Sequence, residues 1–358
     1  MARALPHAIG FILPAVIVLT AGPGGAWTFL PLVILYVILP AIDALVGLNP
    51  RNPGAAEEPS LSDNPAFRAI TWLWVPAQLA LIVWGLERVA SGTMTPVETV
   101  GTALSIGLTS GAIGMTFAHE LIHRPSRLER LLGDLLLISV TYPHFAIEHV
   151  HGHHRHVGTP RDPATARYGE SLYAFLPRTV VWSVASAWRI EVRRLAKHGR
   201  PALSPSNRML RYALVQSIIY LCVGLRYGMG GMLFLAAQSI VAFALIETIN
   251  YIEHYGLVRR EVTPGQYERV MPWHSWDSSH RVSNWILINL ARHADHHVAA
   301  SKRYQVLHAL DAAPQLPTGY GAMFVLALAP PLWRRVMDPR VERWRERHLI
   351  AETRQAGG

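Results

Sequence analysis

The sequence predicts an all-α integral membrane protein, with six transmembrane helices and a cytoplasmic cap of helices and loops. Three observations predict it. Hydrophobic residues make up 51% of the 358 and charged residues only 16%, against roughly 25% charged in soluble domains. Several apolar runs approach the ~20 residues that a hydrocarbon core demands. Basic residues collect on one side of those runs. Mean hydropathy is +0.21, which excludes a disordered chain. The single cysteine, Cys222, excludes a disulfide framework, an iron–sulfur cluster and a cysteine zinc site.

Residues 8–21 are almost all apolar and stop at Gly22-Pro23-Gly24-Gly25, a strong turn. Residues 27–48, broken only by Pro31, Pro40 and Asp43, complete a helical hairpin. A polar loop at 49–62 leads to the third span, 68–89, and then to the fourth, 97–123. From Arg124 to Arg208 the chain carries 13 Lys and Arg against 6 Asp and Glu. This stretch reads as a water-side segment with a short apolar element at 131–140. Spans five and six are 210–226 and 229–251, joined by a Gly-rich turn. The remainder is mixed and basic. Its one apolar run, 320–333, ends at Pro330 and Pro331 and suits a re-entrant, interfacial or core element.

Six spans put both termini on one side of the membrane. Residues 91–99 hold no Lys or Arg, whereas the segments 124–209 and 252–358 are rich in them. The positive-inside bias therefore places both termini and both segments on the cytoplasmic face. The net charge of +9 then suits anionic lipid headgroups or an acidic protein partner; no nucleic-acid partner is expected. Residues 1–6 and the apolar stretch behind them lack the pattern of a cleaved signal peptide. The whole chain, 1–358, reads as a single membrane-embedded catalytic domain.

More than half of the 18 histidines fall in four short groups. In His119-Glu120-Leu121-Ile122-His123 the two histidines share a helix face at i, i+4 and can reach one metal. In Glu148-His149-Val150-His151-Gly152-His153-His154 the same spacing pairs His149 with His153, and His154 points elsewhere, toward a second ion. The third group, Asn250 to Gly256, brings His254 to the cytoplasmic end of span six. In the fourth, Arg292-His293-Ala294-Asp295-His296-His297, three histidines lie on one side of a helix. Burying nine imidazoles together without metal would leave many polar nitrogens unsatisfied. Nine donors are too many for one tetrahedral zinc and suit two ions with four or five imidazoles each. Imidazole serves zinc, copper, iron and nickel alike. Glu120, Glu148, Glu253 and Asp295 stand beside these histidines, where carboxylates commonly take the second imidazole N–H. Each has the plainer alternative of pairing with an arginine.

At these residues the sequence resembles the membrane alkane 1-monooxygenases, a histidine-rich diiron family that also includes xylene monooxygenases and, more distantly, membrane fatty acid desaturases. The matching strings lie at 119–124, 148–154, 250–257 and 292–297, in the family's order and approximate spacing. Thr159-Pro160-Arg161-Asp162-Pro163 and His274-Ser275-Trp276-Asp277-Ser278 also fit, as do the strings at 304–307, 314–317 and 331–339. The likeness runs from about Asp43 to Val341. Departures are small: Arg124 stands where many members have Lys, and Ala291-Arg292 where many have Gln-Arg.

The resemblance implies two non-haem irons, O2 as oxidant and terminal hydroxylation of an unactivated alkyl chain. It implies electrons from a separate rubredoxin, reduced in turn by an NADH-dependent rubredoxin reductase, and residence in a bacterial-type inner membrane. Carried over residue by residue, the ligands would be His119, His123, His149, His153, His154, His254, His293, His296 and His297. Glu120, Glu148, Asp162, Glu253, Asp277 and Asp295 would support them, with His151 and His156 left outside. An alkane would enter from the bilayer into an apolar slot under the histidines, with Trp27, Trp72, Trp74, Ile113 and Phe117 as candidate walls.

Other readings stay open. Methyl-arene hydroxylation or fatty acyl desaturation would use the same metal core. An intramembrane zinc protease fits His119–His123 with Glu120 as general base, yet leaves the other histidines without a role. A metal transporter would spread its donors across the membrane instead of gathering them at one face.

Overall fold

The structure is a computed structural model that describes residues 3–356. It is helical apart from one small hairpin, β1 (Glu261–Thr263) with β2 (Gln266–Tyr267). The helices, in chain order, begin with α1 (Leu5–Thr20), α2 (Gly25–Val46), α3 (Glu58–Ala90, interrupted at Asn64) and α4 (Pro96–Ile122). Then come α5 (Arg127–Ser139), α6 (145–156), α7 (Leu172–Ala196) and α8 (Arg208–His254). Four short-to-long helices close the chain: α9 (Arg281–Ile286), α10 (His293–Val298), α11 (Tyr320–Ala327) and α12 (Pro330–Ala356).

Among the described residues four helices, α2, α3, α4 and α8, are long and apolar enough to cross a membrane. The expected six spans map onto this differently. Gly228, at φ 67° and ψ −169°, breaks α8 into two helical halves, which are the expected fifth and sixth spans. Glycine has no Cβ to oppose that conformation. The expected first span is α1, 16 residues that open as a 3-10 helix, shorter than a full crossing. Pro330 and Pro331 do not end the apolar run at 320–333. They start α12, where a first-turn proline forfeits no hydrogen bond.

Local chemistry fixes where the long helices begin. Thr95 and Glu98 form a reciprocal capping box at the start of α4. The second Glu98 oxygen accepts from the Gly25 N–H at 2.7 Å, so the starts of α2 and α4 are tied together. Asn64 and Asn207 side chains accept the Ala66 and Met209 amides and cap α3 and α8.

Helix α4 is the central post, buried along most of its length. Gly107 and Gly111 let it approach α8 closely: a Cβ on either would stand 2.7 Å from a backbone oxygen of α8, that of Gln238 or Ala242. Small residues four apart are how helices meet inside membranes. The contact matters for the site, because α4 carries His119 and His123 at its end and α8 carries His254. From the C-terminal segment, Trp333 of α12 packs against Tyr251 and Tyr255, with ring centroids 5.0 and 5.2 Å apart. Tyr255 also donates to Asp338 at 2.6 Å.

Gly111→Val should push α4 from α8 and destabilise the protein by about 1–3 kcal/mol, the usual range for overpacking. Thermal unfolding in detergent, followed by circular dichroism, would show a lowered Tm.

Candidate metal centre

Nine histidines converge from four segments: the end of α4, α6, the end of α8, and α10. They form two groups, in each of which the donor atoms lie within 4.8 Å of one another. The first holds His119, His123, His149, His154 and His296; the second holds His153, His254, His293 and His297. The groups adjoin, with the His154 ring stacked on His297 at 4.4 Å.

This division corrects the pairing expected from helical spacing. His149 and His153 were to share a metal at i, i+4, with His154 apart. Residues His149–His153 instead form a π turn, in which hydrogen bonds run to i+5 and the turn widens. The partner of His149 is therefore His154, with their Nε2 atoms 3.0 Å apart, and His153 turns to the second group. Helix α10 likewise divides: His296 serves the first group, while His293 and His297, one α-turn apart, serve the second.

The nitrogens fit cations. His154 Nε2 lies 3.0 Å from the Nε2 atoms of both His149 and His296. His293 Nε2 lies 3.1 and 2.9 Å from those of His254 and His297. The Nε2 atoms of His119, His123 and His153 are buried with no hydrogen-bond partner. Contacts among imidazoles thus leave three nitrogens orphaned, whereas a cation in each group would engage all nine. Burial, and then the neighbouring imidazoles, hold His149, His154, His293, His296 and His297 well below the ordinary histidine range. They are neutral, the form that offers a lone pair.

The acids divide more sharply than sequence proximity suggests. Asp162 accepts from His153 Nδ1 at 2.9 Å and from the Thr165 hydroxyl at 2.6 Å. That leaves the His153 Nε2 lone pair facing its group. Glu253 is, among the described residues, the other carboxylate in contact with one of the nine clustered imidazoles. One oxygen lies 3.2 Å from His293 Nε2, and the other accepts the Tyr320 hydroxyl at 2.9 Å. Asp277 acts through the backbone, accepting the Ala294 N–H at 2.6 Å near the start of α10. Glu120 pairs with Arg124 at 3.5 Å, Asp295 with Lys302 at 3.0 Å, and Glu148 turns to Ser186. His151 is exposed and His156 half-buried, outside both groups.

A cavity of mixed lining lies against the histidines, and a more apolar one shares two wall residues with it. The first, of about 380 Å³, is walled by His119, His149, His293, Phe145, Thr116 and Glu253 among others. The second, of about 510 Å³, lies among α2, α8, α9 and α11, with Leu35, Tyr36, Leu39, Leu245 and Phe324 in its wall. Ile249 and Leu287 line both. None of the expected wall residues lines either cavity. Trp74, Ile113 and Phe117 are packed solid, with Trp74 edge-on to Phe117 at 5.6 Å. Trp72 is half-buried at the core's margin, and Trp27 is 58% exposed.

Comparison with known proteins places this arrangement. The fatty acid desaturase family model matches residues 95–327. Alkane 1-monooxygenase 2 of Pseudomonas aeruginosa is 45% identical over 318 residues, covering 88% of this chain and 84% of that protein. The chain belongs to the alkane 1-monooxygenase family. A second alkane 1-monooxygenase, from Alcanivorax borkumensis, is 40% identical over 92% of this chain and 86% of its own length. The xylene/toluene monooxygenase hydroxylase component of Pseudomonas putida is 29% identical, over 92% of this chain and 85% of its own.

In this alkane 1-monooxygenase family member, several residues that shape the site carry no motif signal. Asp43 interrupts a hydrophobic run, which marks it as unusual without saying why. Its carboxylate accepts from the Val282 and Ser283 amides and the Ser283 hydroxyl, so it caps α9 and fixes the cavity wall. Tyr320, Ile249 and Leu287 read as ordinary core residues. Arg124 showed only as a small departure from the family pattern, and Arg292 only as the first residue of a matching histidine string. Arg124 donates to the carbonyls of Ala300, Ser301 and Lys302. Arg292 donates to those of Asn49, Arg51 and Leu307.

Asp162→Ala should free the His153 ring and weaken metal binding in the second group by about 10–100-fold. Titration of the metallated protein with a competing chelator would measure it, with Asp162→Asn falling between the two.

Proposed function

We propose that the chain hydroxylates the terminal carbon of n-alkanes at a pair of non-haem irons, using O2 and electrons from a rubredoxin. Several features support this reading: membership of the alkane 1-monooxygenase family, an all-imidazole donor set in two adjoining groups, and the cavity space beside it. The observation that carries it is the convergence of nine imidazoles in two adjoining groups, with apolar cavity space beside them. The overall balance is alkane plus O2 plus two electrons plus two protons, giving primary alcohol and water. When bound, the irons supply the activation of O2 that amino acids cannot.

The protein's own residues do the rest. The nine named histidines would hold the metal, His153 with its proton on Nδ1, donated to Asp162. His254 Nδ1 faces the His274 carbonyl at 3.4 Å, which likewise turns Nε2 inward. Leu35, Leu39, Leu245 and Phe324 would grip the chain by shape, since an alkane offers no polar handle. Ile249 and Leu287, between the cavities, would aim its end at the histidines. Glu253, held by the Tyr320 hydroxyl, is the one acid facing both the metal groups and the cavity.

The topology belongs to the same reading. The helical runs α1 to α4 and the two halves of α8 make six passes of an inner membrane, with α1 tilting or thinning the bilayer to cross it. The arginine-rich segments then face the cytoplasm, with both termini and the histidines. The chain acts as one domain, because ligands come from both its halves. Methyl-arene hydroxylation is the second reading, favoured by the xylene/toluene monooxygenase relative.

Purified protein should carry about two irons per chain, one for each group. With rubredoxin, reductase and NADH it should convert octane to 1-octanol, and p-xylene more slowly. Zinc in place of iron, or no alcohol product, overturns the proposal. His123→Ala should abolish iron loading in the first group and all turnover. Ile249→Phe should leave iron content intact and lower kcat/KM for octane by roughly tenfold, about 1.4 kcal/mol, as product analysis would show.

A further inference from the structure

We infer that the polar cleft between α7 and the 160–167 loop is the docking site for the acidic electron carrier. This rests on the function proposed above and deepens it. The cleft, of about 1200 Å³, is lined by His156, Trp182 and the arginines Arg161, Arg167, Arg189 and Arg193. On α7, Trp182, Ser186, Arg189 and Arg193 fall on one helix face by their spacing. All four arginines are exposed. None forms an ion pair with a carboxylate among the described residues.

The reason is local accounting of charge. The six acids of 124–208 are all engaged elsewhere. Glu170 takes Arg178, and Glu191 takes Arg194 and Arg208. Glu129 takes Arg303, Asp134 accepts Tyr212, and Glu148 and Asp162 are buried. The cleft is left with uncompensated positive charge around an exposed tryptophan, the combination that anchors charged protein partners.

Its floor connects inward. Asp162 lines the cleft, and its carboxylate is bonded to His153 of the second metal group at 2.9 Å. A carrier seated there would stand one hydrogen-bonded residue from a metal-facing imidazole. The other large polar cleft, near Arg3 and Arg51, differs: Arg3 is paired with Glu57, and Arg292 is spent on backbone carbonyls. Transient redox encounters bury little surface, so affinity here should come mainly from charge and fall with salt.

The test uses full-length, iron-loaded protein in nanodiscs with a reduced rubredoxin as probe. Rubredoxin binding is read by biolayer interferometry, and donor KM by alcohol production. Arg189→Glu with Arg193→Glu should raise both Kd and donor KM by roughly tenfold at low salt, about 1.4 kcal/mol, and flatten their salt dependence. Iron content should not change. Arg189→Lys with Arg193→Lys should stay close to the parent, and so should Arg51→Glu. Unchanged Kd and KM in the double Glu variant would overturn the assignment. So would unchanged Kd accompanied by loss of co-purified anionic phospholipid, which would give the cleft to headgroups. Absence of alcohol from the parent protein would count against the proposed function alone, since Kd still reports docking.

Discussion

The structure depends on holding nine imidazoles face to face inside a low-dielectric interior. Lone pairs at about 3 Å gain nothing from one another, so other contacts must keep their segments together before any cation arrives. Two buried guanidinium groups do so. Arg124 locks the end of α4 to the chain that follows α10. Arg292, at the start of α10, locks it to the loop after α2. Both donate mainly to backbone carbonyls, and Arg124 also pairs with the buried Glu120 carboxylate. The frame is thus built chiefly of peptide oxygens.

Much of this was legible in the sequence, because hydropathy and histidine clustering are local signals. The four histidine groups and the long apolar helices stand where the residue order puts them. What was not legible follows from geometry that local spacing does not encode. The rule that i and i+4 share a face presumes an α-helix, and the π turn at His149–His153 breaks that premise. Sequence neighbours are also not spatial neighbours: Glu120, Glu148 and Asp295 sit beside ligands in the chain but turn to Arg124, Ser186 and Lys302. The span count depended on Gly228, whose break inside α8 is a backbone conformation, and on the short α1.

The cavity was the least readable part. Large aromatics in membrane helices are natural candidates for a substrate wall, yet Trp74 and Phe117 serve to pack α3 against α4. The larger cavity draws on α9 and α11, six and eight residues long; the apolar run at 320–333 marked α11, but nothing local tied it to a cavity. Asp43 shows why the pocket remains apolar despite an acid at its edge. All of its hydrogen bonds go to the start of α9, so it presents no unpaired charge to a hydrocarbon.

The helices that wall the larger cavity on the side away from the cluster, α2 and α11, contribute none of the nine histidines. On the function proposed, α2 and α11 would shape the choice of guest without supplying a donor to an ion, whereas α8 would do both. Substitutions at Leu35, Tyr36, Leu39 or Phe324 can reshape the bore while the donors stay fixed. Such a division lets descendants of one ancestor diverge in what they oxidise, each inheriting the same reactive heart.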